Sequence, residues 1–358
     1  MAMPSIVLRR TGLATQDPGS GPRLALLLWV ALGATLLLSA CVGGIAISAA
    51  DWLAPWRSEP MSGGAQVLWQ LRLPRALLAA VVGAALALAG SLSQGLFRNP
   101  MADPGLLGVT SGAACAAALV LTVFSQAHVA LPPEWRMWLL PLSAFVGAIV
   151  VCYALDRLAR WLTPGSVSGL LLTGLALNAL TMAIVGLCTY LATDEQLRSL
   201  SFWTLGSLAG GSYTVVALIG GIVAVAALRA RRLADGLNAL ALGEAAAGHV
   251  GIDVQRLRGR VIALVALLCA LAVAWCGVIG FIGLMAPHLV RVVAGPDQRR
   301  VLPLSMLAGA LLLGVADTVA RTVLLPAEVP VGIFTALIGG PVFLMMLRGA
   351  ARDHGGVA

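Results

Sequence analysis

The residues able to do chemistry are few in this 358-residue chain, and they are scattered. Six cysteines lie within apolar runs with no Cys-X-X-Cys pair, and four histidines lack a second ligand at metal-binding spacing, which indicates neither disulfides nor a metal site. The basic residues are 23 Arg and no Lys. Because a Walker A loop needs a lysine on the transferred phosphate, the chain cannot hydrolyse ATP by that route. We therefore expect a non-enzymatic protein that binds no cofactor of its own.

Membrane-spanning helices must position these arginines. Apolar residues make up 59% of the chain and charged residues 11%, with a mean hydropathy of +0.95. The uncharged runs are too long for barrel strands, and a span needs about 20 apolar residues. The runs are residues 24–50, 76–97, 105–127, 139–155, 162–193, 199–228, 261–287, 301–316 and 329–347. The runs at 139–155 and 301–316 must extend past a flanking charge to cross.

The run at 261–287 decides the number of spans. Arg256, Arg258 and Arg260 precede it, whereas Arg291, Arg299 and Arg300 follow it. A hairpin broken around Gly277 and Gly280 keeps both clusters in the cytosol, as the positive-inside rule favours. The predicted fold is an all-α polytopic membrane protein of about ten transmembrane helices, with both termini cytoplasmic. That topology places 17 Arg inside and 6 outside, so the net charge of +8 reflects topology rather than nucleic-acid binding.

The domain organisation follows from the same runs. Residues 1–22, which contain prolines and glycines, are predicted to be a disordered cytosolic lead-in; residues 23–348 form the transmembrane domain and residues 349–358 a cytosolic tail. Leu38-Ser-Ala-Cys41 resembles a lipoprotein cleavage box, but so many later spans favour a chance match within the first helix.

The longest polar insertion is the cytosolic segment 229–260. Within residues 237–251, apolar residues share a helical face and glycines allow sharp turns. This pattern predicts two short helices below the membrane that dock into a groove on a partner. The alternative is a solvated linker, which the apolar character of the segment disfavours.

Several ordered motifs between residues 66 and 347 resemble the FecCD permease family, importers of cobalamin, iron-siderophores and haem. The motifs are Arg72-Leu-Pro-Arg75, Arg98-Asn-Pro-Met-Ala-Asp-Pro-Gly-Leu-Leu-Gly108, Trp203-Thr-Leu-Gly-Ser-Leu208, residues 280–291, Ala316-Asp-Thr-Val-Ala-Arg321, Glu328-Val-Pro-Val-Gly332 and Gly339-Gly-Pro-Val-Phe343.

The resemblance implies a type II ABC importer permease in the bacterial inner membrane. It implies a homodimer with the substrate path between the subunits, two copies of a separate ATPase that binds ATP and Mg²⁺ below, and a periplasmic binding protein for haem or siderophores above. It also implies roles for individual residues: docking of the binding protein by Arg72, Arg75 and Arg321; ATPase coupling by Leu237, Leu240, Gly243, Glu244, Gly248 and Gly251; and a cytoplasmic gate at Asn99, Met101 and Ser168.

Structural interpretations compete with the docking role. Arg72 and Arg75 could anchor a helix by reaching the lipid headgroups. Asp317 and Arg321, spaced i,i+4, could form a structural ion pair near a helix end.

The substrate hypothesis is haem. The outside stretch 194–203 resembles that of haem permeases, and Arg198 beside Phe202 and Trp203 would suit a planar ligand with two carboxylates. The alternatives are an amphipathic helix in which Arg198 pairs with Asp194, and a siderophore or cobalamin as the ligand.

Two functions from other classes are weaker. An ion-coupled secondary transporter needs a charged relay deep in the membrane, and Asp317 is the only carboxylate in a predicted span. An intramembrane enzyme needs a cluster of nucleophile and base or of metal ligands, and the sequence shows none.

Overall fold

The structure is a computed structural model that describes residues 20–56, 60–125, 132–164 and 166–355. Within these ranges every regular element is helical. Residues 1–19 of the predicted lead-in, Arg57, His128 and the last three residues of the predicted tail lie outside the described residues. The first helix begins at Ser20 and the last ends at Gly355, so helix extends into both segments predicted as termini.

The principal helices are labelled in chain order. They are α1 (Ser20–Cys41), α2 (Leu73–Phe97), α3 (Val109–Leu121), α4 (Pro133–Leu162), α5 (Val167–Leu191), α6 (Asp194–Thr204), α7 (Tyr213–Arg231), α8 (Ala234–Ala241), α9 (Glu244–His249), α10 (Val254–Cys276), α11 (Ile282–Ala294), α12 (Gln298–Ala320) and α13 (Val331–Gly355). Short helical turns at Ala49–Trp52, Ala54–Trp56, Gly63–Gln66 and Pro104–Leu107 connect them, and a π-helical stretch at Val67–Arg72 leads directly into α2.

Eight helices of the described chain are long and apolar enough to cross a bilayer: α1, α2 with its lead-in from Gly63, α4, α5, α7, α10, α12 and α13. The shorter apolar helices α3 and α11 bring the set to ten, as predicted. Both α4 and α12 extend past flanking charges, which the two short uncharged runs required.

Several uncharged runs do not correspond to single helices. Residues 105–127 contain a 3-10 turn followed by the 13-residue α3, because Gly108 adopts a left-handed φ of 75° between them. Residues 162–193 include the end of α4 before α5 begins. Residues 199–228 include the end of α6 and a loop before α7, with Gly206 at φ 72°. Uncharged sequence therefore overestimates helix length where glycine turns the chain.

Helix α2 lies at the centre of the bundle, because glycines let other helices approach its backbone closely. A Cβ at Gly83 would overlap the carbonyl of Gly309 on α12, and one at Gly90 would overlap that of Gly283 on α11. In lipid the hydrophobic effect does not drive helices together, so they associate through close van der Waals packing. Small residues at the crossings allow that close packing. The packing of α2 against α11 and α12 therefore depends on these glycines.

The chain breaks between α10 and α11, as the hairpin prediction required. Gly277 has φ 66° and Phe281 has φ 67°, so the helix ends at Cys276 and restarts at Ile282. The amide of Ser207 donates to the carbonyl of Cys276 at 2.8 Å, satisfying a group that the helix leaves open. A Cβ at Gly277 would overlap the carbonyl of Trp203, so glycine is needed there for space as well as for its φ.

Helices α2 and α12 run antiparallel and connect the two ends of the molecule. At one end Arg75 pairs with Asp317; at the other, a Cβ at Gly95 would lie 3.2 Å from the Gln298 side chain. The twenty residues between Arg75 and Gly95 correspond to about 30 Å of helix, the thickness of a hydrocarbon core. We call the Arg75 end the outer end and the Gln298 end the inner end, following the arginine distribution.

Candidate functional site

The outer arginine cluster consists of Arg72, Arg75 and Arg321 with the carboxylates Asp317 and Glu328. Arg72 donates from Nη1 to the carbonyl of Cys41 at 2.9 Å and from Nη2 to that of Ile45 at 2.7 Å. The Cys41 carbonyl lies at the end of α1, where helical backbone acceptors have no partner within the helix, and Ile45 lies in the loop that follows. Arg72 therefore caps α1.

Arg321 caps the same helix end from α12. Its guanidinium donates to the Val42 carbonyl at 3.1 Å, to the Ser39 hydroxyl at 2.9 Å and to the Ser39 carbonyl. The Nε atom of Arg321 lies 3.9 Å from Oδ2 of Asp317, so this i,i+4 ion pair is longer than the hydrogen bonds of Arg321 to α1. A cation at a helix C-terminus is also favoured by the helix dipole.

Arg75 is the member of the cluster that links buried to exposed charge. Its Nε and Nη2 donate to the Asp317 carboxylate at 2.9–3.1 Å, and its Nη1 donates to Glu328 at 2.6 Å. The Asp317 side chain is 0% exposed, whereas that of Glu328 is 51% exposed. The three arginines and Glu328 line a cavity of about 330 Å³, and Glu328 is the carboxylate in that lining.

The structure thus brings the three predicted docking arginines together, and each of them donates hydrogen bonds to groups of this chain. The structural ion pair between Asp317 and Arg321 is also present, at 3.9 Å, and the anchoring of Arg72 and Arg75 at lipid headgroups stays a hypothesis. The sequence did not predict that Arg72 and Arg321 donate to the end of α1, because the acceptors there are mainly backbone carbonyls. It also missed Glu328, although the motif 328–332 contains it.

A second polar site at the outer end is centred on Asp51. Its carboxylate accepts from the Ser62 hydroxyl at 2.5 Å and from the amide and hydroxyl of Ser48 at 2.7 Å. These hydrogen bonds, that from Ser62 first, hold the pKa of Asp51 below its ordinary value. Asp51 thereby fixes the loop between α1 and α2.

At the inner end, α8 and α9 form the two short helices predicted for residues 237–251. They are separated by Gly243, at φ 118°, and followed by Gly251, at φ 82°. Glu244 accepts from Arg258 on α10 at 2.9 Å. A Cβ at Gly243, Gly248 or Gly251 would meet no atom within 4 Å, so these glycines lie in open space.

Two of the predicted coupling residues face inward. The Leu237 side chain is 0% exposed and Leu240 is similarly buried, both within the main hydrophobic core. They anchor α8 and do not present a surface to a partner. The exposed apolar residues are instead Leu242, at 82%, and Val250. Leu242 lies off the helical face shared by Leu237 and Leu240, which is the sequence signal that could have singled it out.

Hydrogen bonds tie α8 to the start of α12. The Asn238 amide donates to Asp297 at 2.7 Å, and its oxygen accepts from the backbone amide of Gln298 at 2.9 Å. Arg299 donates to Asp235 at 2.6 Å, which lowers the pKa of that carboxyl. These hydrogen bonds connect α8 to the helix that carries Asp317 and Arg321 at its other end. No sequence motif pointed to Asn238.

The predicted gate residues lie on the inner side of α2 and α5. Asn99 accepts from the amide of Met101 at 2.9 Å in the turn after α2, and both adjoin the reversal at Arg98, which has φ 51°. Ser168 is exposed in the first turn of α5. The turn Pro104–Leu107 packs against α5, where a Cβ at Gly174 would lie 2.8 Å from the Leu106 carbonyl. Asn99 and Met101 are thus in direct contact, whereas no hydrogen bond joins Ser168 to either of them among the described residues.

The predicted substrate residues separate into two groups. The Arg198 guanidinium carbon lies 5.8 Å from the centre of the Phe202 ring, and both line a surface pocket of about 360 Å³ on α6. The alternative ion pair between Arg198 and Asp194 is not formed by these two described side chains. Trp203 packs against the hydrophobic core and does not line that pocket, so its predicted place on the substrate path stays a prediction.

Other chemistry is sparse in the described part of the chain. All six cysteines are free thiols, and no cluster of three metal-ligating side chains occurs among the described residues.

Comparison with known proteins assigns this arrangement to a family. The FecCD transport family matches residues 30–349, a range that contains every candidate site residue. The chain belongs to the FecCD transport family.

Curated FecCD relatives match along nearly their whole length. The hemin transport system permease protein HmuU of Yersinia pestis is 42% identical over 93% of this chain and 96% of its own. The vitamin B12 import system permease BtuC of Vibrio cholerae is 41% identical over 89% of this chain and 92% of its own. BtuC of Escherichia coli O157:H7 is 38% identical over 95% and 99%. Identities of 42% and 41% do not distinguish a haem permease from a cobalamin permease.

Solved structures agree with the fold. A metal-chelate type ABC transporter in an inward-facing conformation superposes with a TM-score of 0.79 at 33% identity, covering 92% of this chain and 99% of that one. PsaBC from Streptococcus pneumoniae, in complex with Fab, has a TM-score of 0.53 at 17% identity over 78% of this chain and 92% of its own, which shows the fold alone.

Proposed function

We propose that this FecCD-family chain is the permease subunit of an ATP-driven importer in the bacterial inner membrane. Two copies would enclose the path of haem, or another iron chelate, from periplasm to cytosol. The observation that carries the proposal is the α2–α12 pair, which joins the outer arginine cluster to the cytosolic helices α8 and α9. ATP and Mg²⁺ bind to a separate ATPase, and this chain changes conformation without covalent chemistry.

Docking of a periplasmic binding protein takes place at the outer arginine cluster. Arg75 is the contact residue, because its surface partner Glu328 can be replaced by a carboxylate of the binding protein. Arg72 and Arg321 contribute positive potential and hold the end of α1 in place. With three guanidinium groups and two carboxylates the cluster keeps net positive charge, and the departure of Glu328 raises that charge toward an acidic partner.

Coupling takes place at the inner end. Leu242, Gly243, Glu244, Gly248, Val250 and Gly251 form the contact with the ATPase, whereas Leu237 and Leu240 anchor it. Exposed apolar side chains next to open glycines suit a groove on a partner surface. Movement of α8 then reaches α12 through Asn238, and movement of α9 reaches α10 through the Glu244–Arg258 pair.

The substrate path lies at the interface between two copies. Helices α5 and α13 expose apolar residues such as Leu172, Leu175, Leu337 and Leu344 along most of their length. The inner end of this interface is the gate at Asn99, Met101 and Ser168. A mostly apolar wall binds a large ligand weakly, so the ligand can leave.

Haem is the proposed substrate because of the α6 pocket. A cationic guanidinium over the Phe202 ring suits a planar ligand with carboxylates, and the relative HmuU is a hemin transport permease. A siderophore or cobalamin remains the alternative, given the BtuC relatives. Arg198→Ala should lower haem uptake in vesicles, and unchanged uptake would refute direct contact.

Ligand-stimulated ATP hydrolysis tests the proposal. Liposomes would contain this chain, its ATPase and the cognate binding protein, with haem, a ferric siderophore or cobalamin supplied in turn. We expect stimulation by haem and none without the binding protein. Stimulation by a siderophore alone would refute haem while leaving the importer, whereas no stimulation by any ligand would contradict the importer itself.

An ion-coupled secondary transporter is disfavoured by the environment of Asp317. A carboxylate that carries protons or ions must exchange between paired and unpaired states. Asp317 is fully buried and both of its carboxylate oxygens accept from Arg75, so it is held in the paired state.

A further inference from the structure

An apolar groove runs along the outside of the bundle between α1, α2, α7 and α12. It has a volume of about 820 Å³ and is lined by residues such as Trp29, Ala84, Val223 and Leu307. This size is within the range of about 300–1,000 Å³ typical of ligand-binding clefts. Its lining is almost wholly apolar except at the inner end.

The groove runs along the membrane normal. Helices α1 and α12 are parallel and in register, because a Cβ at Gly21 would lie 3.8 Å from Arg300 and a Cβ at Gly314 would lie 3.3 Å from Thr35. On α1 the lining extends from Gly21 to Leu36, about 22 Å of helix. Half of a hydrocarbon core is about 15 Å thick, so the groove accommodates the full acyl chain of one leaflet.

Positive charge is concentrated at the inner mouth. Arg299 and Arg300 line it, and Arg299 shares its charge with Asp235 at 2.6 Å. Arg300 has a buried Nη1 atom with no hydrogen-bond partner in the described part of the chain. A buried guanidinium N–H without an acceptor is costly, so this group calls for an anionic acceptor. The start of α1 adjoins Arg300 and adds the positive end of a helix dipole.

We propose that this groove binds an anionic phospholipid of the inner leaflet, with an acyl chain along α1 and α12 and the phosphate at Arg300 and Arg299. Basic pockets between helices on the cytoplasmic side recognise such headgroups. The occupant is a lipid because the two other candidates fit less well. Residues 1–19 carry Arg9 and Arg10 against the single carboxylate Asp17, so their net charge has the same sign as that of the mouth. A second copy would meet the far more exposed faces of α5 and α13 first.

Lipid retention in native mass spectrometry of the detergent-purified full-length chain tests the site. Dioleoyl phosphatidylglycerol would be compared with dioleoyl phosphatidylcholine, which has the same acyl chains. We expect phosphatidylglycerol to be retained preferentially, and Arg300→Gln to reduce that preference about fivefold, the effect of one arginine near an anionic lipid surface. Arg157→Gln, an exposed arginine at the inner end of α4, is the matched control and should leave the preference unchanged.

A second variant tests the apolar part separately. A Cβ at Gly220 meets only Val81 methyl groups at 3.8–4.0 Å, so Gly220→Leu adds bulk in the groove without a backbone clash. It should reduce retention of both lipids alike. Equal retention of the two lipids by the native chain, or the same loss in Arg157→Gln, would overturn the proposal. Increased lipid retention on deleting residues 2–16 would also overturn it, since the groove would then belong to the chain's own start. Dissociation of a dimer by Gly220→Leu would overturn it as well, since the groove would then bind a second copy.

Discussion

Replacing Glu328 by Gln should strengthen docking of the binding protein. Glu328 accepts a 2.6 Å hydrogen bond from Arg75, and its carboxylate competes with any carboxylate that a partner brings to the same guanidinium. Gln has the same shape, and its amide oxygen still accepts from Arg75, so the substitution removes charge while retaining the local structure. Arg75→Ala is less informative, because it would leave the buried Asp317 with only its 3.9 Å contact to Arg321, at a cost of up to about 3–5 kcal/mol, and so confuse docking with folding.

The magnitude follows from the exposure of the pair. The Glu328 side chain is 51% exposed, and exposed ion pairs contribute about 0.2–1 kcal/mol. Removing the competitor should therefore lower the Kd for the binding protein by about 1.4- to fivefold. Because the gain is electrostatic between partly exposed groups, it should diminish as the salt concentration rises.

The assay is equilibrium binding of the purified binding protein to the permease in nanodiscs, at low and at high salt. Glu244→Gln is the matched control: it also removes a carboxylate paired with an arginine at 2.9 Å, but at the inner end. Unchanged or weaker binding by Glu328→Gln, with Glu244→Gln folded and native-like, would refute the exchange of carboxylates at Arg75.

Three further outcomes are expected. Gly83→Leu should abolish the folded monodisperse protein in detergent, because the new side chain meets the α12 backbone. Gly33→Leu is the control and should be tolerated, since no atom lies within 4 Å of a Cβ there. Equal thermal stabilities of the two variants would contradict the packing of α2 against α12. Leu242→Asp should change the free energy of unfolding by no more than about 0.5 kcal/mol and should abolish co-purification of the ATPase. Leu237→Asp should instead unfold the chain, because that side chain is buried. Co-purification of the ATPase with a folded Leu242→Asp variant would refute the contact between Leu242 and the ATPase. The pKa of Asp51 is lowered in the folded chain, so the stabilisation from Asp51 is present above its unfolded pKa of about 4 and is lost as the pH falls through the folded value. In pH-dependent thermal melts, Asp51→Asn should therefore flatten the decline of thermal stability in acid. An unchanged decline would exclude Asp51 as its source.

Topology was the part of the fold that sequence could predict. Uncharged length and arginine asymmetry are one-dimensional properties, and the hairpin at Gly277 followed from them before any packing was known. Helix ends were less predictable where no charge marks them. Gly108 turns the chain inside an apolar run, and its need for a left-handed φ is visible only in three dimensions.

The site was predicted as a set of positions, but not as a set of interactions. Arg72 acts on backbone carbonyls some thirty residues away, and carbonyls have no sequence signature. Leu237 and Leu240 share a helical face, which indicates burial as readily as docking. The structure resolves that ambiguity toward burial and identifies Leu242 as the apolar residue left exposed.

Haem accumulation in proteoliposomes with ATP supplied to the ATPase side, and with the binding protein on the opposite side, tests the central claim most directly. The account predicts uptake that vanadate abolishes and that an uncoupler leaves unchanged, because the energy comes from the partner ATPase. Uptake that survives vanadate and collapses with the uncoupler would contradict it, since the chain would then be driven by an ion gradient.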